Sequence, residues 1–166
     1  MEELLKKLVE KNRKFTADGN VANYIPELDK ADKNALGIYV TTLDGQEFFA
    51  GDYNTKFTIQ SISKIISLML AILDNGEEYV FSKVGMEPSG DPFNSIRKLE
   101  TSSRKKPYNP MINAGAIAVA SMIKGKDDRE KFLRLLDFAK LITEDDTLDL
   151  NYKIYIGESD TGFRNY

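Results

Sequence analysis

The sequence contains no cysteine and no histidine. Without cysteine, this chain can form no disulfide bond, no thiolate nucleophile and no cysteine-ligated zinc site. Without histidine, a Ser-His-Asp catalytic triad cannot form within it. If the chain is an enzyme, its nucleophile and base must therefore come from serine, threonine, tyrosine, lysine or carboxylate side chains.

Long apolar runs and an excess of positive charge are also missing. The longest apolar run, around residues 65–73, is interrupted by Ser67 and followed by Asp74, so it is too short to span a bilayer. The 23 basic and 26 acidic side chains give a net charge of −3, so neither nucleic acid nor a membrane is expected as a partner. The acidic, amphipathic N-terminus is unlike a signal peptide, and we expect a cytoplasmic location.

The local patterns predict an α+β chain, with a short β-hairpin followed by a mostly helical region. Its 166 residues, 42% of them hydrophobic, are enough for one domain with a sizeable core. Turn residues Asp44-Gly45 separate two β-rich runs, which indicates a hairpin. Apolar spacing predicts helices over 2–14, 61–73, 77–84, 113–123 and 126–141, with 148–162 open between helix and loop.

The predicted hairpin has only two strands, and a sheet that small is marginal in water by itself. No further strand is evident after residue 52. We therefore expect the sequence to be the first part of something larger.

Ser61-Ile62-Ser63-Lys64 fits the S-x-x-K pattern of serine enzymes that use a lysine base. On a helix that begins near Ser61, residues three apart lie on one face, so Lys64 could take the Ser61 hydroxyl proton. The lysine would have to be neutral, and the apolar residues that follow predict a buried helix, which favours the neutral form. The alternative is an N-cap serine with an incidental lysine, because short patterns often occur by chance.

Asn113 opens a small-residue apolar segment and has two possible roles. It could cap the helix that follows, which its spacing favours, or it could point into a pocket. Glu158 lies in an acidic stretch that, taken alone, indicates a solvated surface. Tyr24 and Gln60 are lesser candidates, since both could serve only in packing or local hydrogen bonding.

Taken together, these stretches resemble the serine-dependent glutaminases. The resemblance covers the chain from about residue 19 to residue 166 and rests on five runs in the family's order, namely 21–28, 57–64, 84–90, 92–95 and 109–117. It implies a β-lactamase/transpeptidase-like fold, with an α/β/α sandwich beside a helical domain. The 166 residues would form one incomplete domain, in which 1–60 supply the helix and hairpin of the α/β region and 61–166 supply the S-x-x-K helix and the helical region.

The resemblance also implies the reaction, which is hydrolysis of L-glutamine to L-glutamate and ammonia without metal or cofactor. Ser61 would attack the side-chain amide and Lys64 would transfer the proton. Asn113, Glu158 and Asn165 would contact the substrate. Tyr24 and Gln60 match family positions near the pocket, and the full-length family implies a homo-oligomer.

The chain also departs from the family pattern. Gly157 stands where the family usually has serine, and the sequence stops just after Arg164-Asn165, where family members continue. The part beyond holds two pocket tyrosines and a strand that supplies the second oxyanion donor. We therefore expect a fragment of a glutaminase. Two alternatives to an active glutaminase stay open. One is an inactive fragment, or half of a split glutaminase that needs a partner chain. The other is a penicillin-recognising serine enzyme.

Overall fold

The computed structural model describes residues 1–90, 92 and 106–161. Within these ranges the chain forms two compact units, one from residues 1–58 with 151–161 and one from residues 59–150. The described elements are α1 (Glu2–Arg13), β1 (Gly37–Thr41), β2 (Glu47–Gly51), α2 (Ser63–Asn75), α3 (Glu77–Lys83), α4 (Asn113–Met122), α5 (Asp128–Thr143) and α6 (Tyr152–Thr161). The predicted hairpin and helices are present, and the segment that was open between helix and loop contains α6. That all 166 residues form a single domain stays a prediction.

In the first unit, α1 packs on one face of the hairpin. Strands β1 and β2 pair antiparallel from Gly37 opposite Gly51 to Thr41 opposite Glu47. Because side chains alternate along a strand, every second residue faces α1. Ala50 on β2 is buried with Leu5 and Val9 of α1, and this contact forms the core of the unit.

In the second unit, α2 lies at the centre and packs against α3, α4 and α5. Its buried core consists of Leu70, Ala71, Val80, Val84, Val119 and Ile123. The expectation that α2 is buried holds for one face only. The other face carries Ile65, Met69 and Leu73, which are 43–70% exposed. The helix is apolar on both sides, but the described residues cover only one of them. Within the described ranges, none of the helices has the length and apolar character needed to cross a membrane.

The C-terminal end of α2 is joined to α5 by an ion pair whose carboxylate is nearly buried. Both Arg134 guanidinium nitrogens donate to the Asp74 carboxylate at 2.7 Å, and the backbone N–H of Lys124 donates to it at 2.8 Å. The Asp74 side chain is only 8% exposed. The hydrogen bonds from Arg134 lower the pKa of Asp74, although its burial opposes the change. The folded protein therefore holds this carboxyl in its charged form more strongly than the unfolded chain does.

Replacing Asp74 by asparagine should lower the free energy of unfolding at neutral pH by about 1–3 kcal/mol, the cost of losing a charged partner. Because the folded pKa is depressed, the contribution is present above the unfolded pKa and is lost as pH falls through the folded pKa. Urea unfolding at several pH values should show the difference from the wild-type chain shrinking in acid. Asp137→Asn, at an exposed position on α5, is the matched control. A difference for Asp74→Asn that stays constant with pH would contradict this account.

Candidate active site

Ser61 lies in the short turn that leads into α2. Residues Gln60–Ile62 form one 3₁₀ turn, and the α-helix begins at Ser63, two residues later than predicted. The Ser63 hydroxyl donates to the carbonyl oxygen of Gln60 at 2.7 Å, which fixes the turn. Ser61 itself is exposed. Lys64 lies in the first turn of the α-helix, three residues after Ser61, a spacing that favours side chains on the same face.

Gln60, directly before the candidate nucleophile, has two unusual features. Its backbone has φ of 40°, in the left-handed region that non-glycine residues rarely adopt. Its side-chain Nε2 atom is buried and, among the described residues, has no hydrogen-bond partner. An unpaired buried donor costs about 1–3 kcal/mol. A strained residue with an orphan donor beside an exposed serine is typical of a site that binds a ligand.

Lys64 lies in the first turn of α2, and its ammonium group reaches the loop before α4. Its Nζ atom donates to the backbone oxygen of Met111 at 2.9 Å and to Oδ1 of Asn113 at 2.8 Å. Burial lowers the pKa of Lys64. The site thus raises the fraction of Lys64 that is neutral at a given pH, and a neutral amine is what a general base requires.

The favoured interpretation of Asn113 as a helix cap is wrong. Asn113 is the first residue of α4, and the capping position belongs to Ile112, which makes no side-chain cap. The Asn113 side chain accepts a hydrogen bond from Lys64 instead. The loop residue Asn109 bonds the backbone in this region, because its Oδ1 atom accepts from the N–H groups of Met111 and Ile112 at 3.0 and 3.2 Å. Sequence reasoning missed Asn109, although asparagine before proline is a known turn signal.

The other predicted substrate contacts lie in the first unit or outside the described residues. Tyr24 is 57% exposed in a loop, and Glu158 is exposed on α6. Their sequence neighbours, Ile25 and Gly157, are in close contact. A Cβ atom on Gly157 would be 2.7 Å from Cγ2 of Ile25, which is fully buried. Gln60, Ser61, Lys64 and Asn113 all belong to the second unit. Asn165 lies outside the described residues.

Comparison with known proteins identifies the family. The glutaminase family model matches residues 19–166. The chain belongs to the glutaminase family. A curated glutaminase of Fusobacterium nucleatum subsp. nucleatum is 97% identical over 166 residues, which are all of this chain and 55% of that protein. A glutaminase of Clostridium botulinum strain Loch Maree is 59% identical over 165 residues, 99% of this chain and 54% of that protein.

Solved glutaminases share the fold of the chain. A probable glutaminase from Bacillus subtilis, complexed with 6-diazo-5-oxo-L-norleucine, matches with a TM-score of 0.85 and 36% identity, over 99% of this chain and 48% of its own. A covalent complex of a Bacillus subtilis glutaminase with 5-oxo-L-norleucine, formed by reaction with that diazo compound, has a TM-score of 0.84 at 36% identity, over 99% and 50%. The predicted fold class is therefore confirmed. The chain spans about half the length of the curated glutaminases it matches.

Proposed function

We propose that the whole protein to which this chain belongs hydrolyses L-glutamine to L-glutamate and ammonia through a glutamyl ester on Ser61. Membership of the glutaminase family supports the substrate and the reaction. The observation that carries the proposal for the site is the environment of Lys64. Two oxygen atoms fix its Nζ at 2.8 and 2.9 Å, burial lowers its pKa, and it follows an exposed serine at a spacing of three residues.

The proton transfers follow from this environment. A neutral Lys64 amine has two N–H groups and one lone pair. In the proposed mechanism, hydrogen bonds to Met111 O and Asn113 Oδ1 use the two N–H groups, and the lone pair accepts the Ser61 proton. Ser61 Oγ then bonds to the amide carbon of glutamine, and Lys64 returns the proton to the leaving nitrogen as ammonia departs. Water then attacks the ester carbon and gives a proton to Lys64. Lys64 passes that proton to the Ser61 oxygen as the ester bond breaks, which gives glutamate and free Ser61.

We propose substrate contacts for the remaining predicted residues. The carboxylate of Glu158 would pair with the α-ammonium group of glutamine, while the side-chain amides of Asn113 and Asn165 would donate to its α-carboxylate. The orphan Nε2 donor of Gln60 supports a contact between this side chain and the ligand. Tyr24 is proposed as a further contact of the substrate.

Turnover by the whole protein tests the function directly. We expect ammonia and glutamate to form from L-glutamine, with unchanged rate after treatment with EDTA, because the proposed chemistry needs no metal. L-Asparagine, one methylene shorter, is the matched control, since its amide would not reach Ser61 while its α-groups stay bound. Equal rates on both amides, or no glutamate from L-glutamine, would contradict the proposal.

A second candidate is an inactive chain, or one half of a split glutaminase that needs a partner chain. It is favoured by the extent of the match, since this chain spans about half of its curated relatives. The 166-residue chain alone would then bind or turn over no glutamine, and activity would appear only with the partner present. The third alternative, a penicillin-recognising enzyme, requires a β-lactam to acylate Ser61, which mass spectrometry of the intact protein would detect.

We also propose a cytoplasmic location and a homo-oligomeric state for the whole protein, both carried over from the sequence and the family resemblance. Light scattering after size-exclusion chromatography would test the assembly, and a monomeric mass would contradict it.

A further inference from the structure

The Lys64 amine binds an oxygen atom of the loop that precedes α4. This loop is in turn hydrogen-bonded to a second loop, at residues 85–87. Gly85 N–H donates to Pro107 O at 2.8 Å, and Glu87 N–H donates to Tyr108 O at 3.1 Å. The two segments run very close together, since a Cβ atom on Gly85 would lie 2.5 Å from Tyr108 O. We call residues 85–87 and 107–108 the platform. The first segment of the platform, residues 85–87, directly follows Val84, which is fully buried in the core of the second unit.

Asn109 is the side chain that joins the platform to the atoms that bind Lys64. Its Nδ2 atom donates to the backbone oxygen of Glu87 at 2.8 Å. Its Oδ1 atom accepts from the N–H groups of Met111 and Ile112. The Asn109 amide is therefore hydrogen-bonded both to the platform and to the backbone that carries the Met111 oxygen. All of these atoms lie in the same compact unit.

The space around this loop leaves little freedom for another arrangement. A Cβ atom on Gly115 of α4 would overlap the carbonyl oxygen of Asn109 and lie 2.8 Å from its carbonyl carbon. The backbone at 109–110 thus rests directly on the first turn of α4, and Asn113 belongs to that turn. The loop that carries the Met111 oxygen is therefore bonded to the platform through Asn109 and packed against the helical turn that carries Asn113.

We propose that Asn109 is a positioning residue for Lys64, acting through its hydrogen bonds to Glu87, Met111 and Ile112 to fix the two oxygen atoms that hold the lysine amine. The proposal rests on the proposed function for its catalytic meaning, since Lys64 is the base only in that reaction. Asn109 does not itself touch the reacting atoms. Its effect is on the place and the burial of the Lys64 amine.

The pH dependence of Lys64 acetylation by a trace of acetic anhydride tests the proposal without requiring activity. Only the neutral amine reacts, so the midpoint of the titration, read by mass spectrometry of the Lys64 peptide, reports its protonation. In Asn109→Ala the loosened loop admits water to a site where burial lowers the pKa of Lys64. We therefore expect the midpoint to move to higher pH. We also expect kcat for glutamine to fall by about 10–100-fold, the scale of loss caused by a small displacement of a catalytic group.

Two further variants separate positioning from general stability. Asn75→Ala is the matched control, because the Asn75 amide also bridges two backbone segments of this unit, donating to Ala71 O and Met122 O at 2.9 and 2.8 Å. We expect it to leave the Lys64 midpoint and kcat unchanged. In Asn109→Ser the hydroxyl oxygen can still accept from the backbone N–H groups of the turn, as serine does in such turns. The Nδ2 group that donates to Glu87 O is lost. Asn109→Ser should shift the midpoint in the same direction as Asn109→Ala, by less.

A wild-type midpoint in folded Asn109→Ala, or an equal shift in Asn75→Ala, would overturn the proposal. If Asn109→Ala does not fold, an unshifted midpoint in Asn109→Ser overturns it alone. The two levels of the account fail separately. A shifted midpoint without any glutamine hydrolysis by the wild-type protein contradicts the proposed function, whereas hydrolysis with no shift in the variants contradicts the role of Asn109.

Discussion

Replacing Ser61 by alanine is expected to reduce glutamine hydrolysis by the whole protein by about 10⁶-fold, the scale found when a serine hydrolase loses its nucleophile. The reason is that the proposed covalent glutamyl intermediate cannot form without the Ser61 oxygen. The structure places this residue exposed in the turn before α2, so its removal leaves no buried gap. Glutamate production measured over long incubations gives the residual rate.

Ser67→Ala is the matched control for this loss. Ser67 lies on α2, the helix that follows the Ser61 turn. It is buried and donates from its hydroxyl to the Ser63 carbonyl oxygen at 3.0 Å. It makes the same change of side chain without touching the proposed reacting atoms, and its rate should stay near that of the wild type. Full activity surviving Ser61→Ala would exclude the serine mechanism.

Replacing Lys64 by arginine is expected to lower kcat by about 10²–10⁴-fold, the usual contribution of a general base. Arginine keeps the positive charge and hydrogen-bond donors for Met111 O and Asn113 Oδ1, but it does not give up a proton in proteins. The change therefore removes the proposed base while keeping hydrogen-bond donors on the side chain at position 64. Steady-state kinetics with L-glutamine measure the loss.

The pH profile distinguishes a lost base from a distorted site. In the wild-type protein kcat/KM should rise with pH through the pKa of Lys64, which burial lowers, because the proposed reaction needs the neutral amine. The residual rate of Lys64→Arg should lack that rise. Lys131→Arg, whose lysine donates to Ser121 O at 3.1 Å on the surface of the same unit, is the control. An unchanged acid limb in Lys64→Arg would mean that another group is the base.

Local sequence signals predicted most of the elements, because each depends on residues close together in the chain. The Asp44-Gly45 turn indicated the hairpin, and the structure has Gly45 at φ of 80° within it. The apolar spacing in residues 126–141 predicted a helix, which is present as Asp128–Thr143. The start of α2 was placed two residues too early, since periodicity does not distinguish a 3₁₀ turn from the first turn of an α-helix.

The candidate site was only partly predictable, because its decisive contacts join distant parts of the chain. Lys64 binds oxygen atoms 47 and 49 positions further on, and no local pattern specifies such a pairing. Asparagine is the preferred helix cap, so Asn113 was interpreted from propensity alone. Its actual partner is a lysine on another helix. The link through Asn109 to Glu87, 22 positions away, was missed for the same reason.

The most direct test of the account is to locate a covalent adduct of 6-diazo-5-oxo-L-norleucine on the whole protein. The diazo carbon would take up the proton that the Ser61 hydroxyl loses, and attack by the Ser61 oxygen on that carbon would release dinitrogen and leave 5-oxo-L-norleucine joined to Ser61. Tandem mass spectrometry of the peptide that contains residues 60–64 should find the added mass on Ser61, with none in Ser61→Ala and slow labelling in Lys64→Arg. An adduct on another residue, or labelling that survives in Ser61→Ala, would contradict Ser61 as the nucleophile.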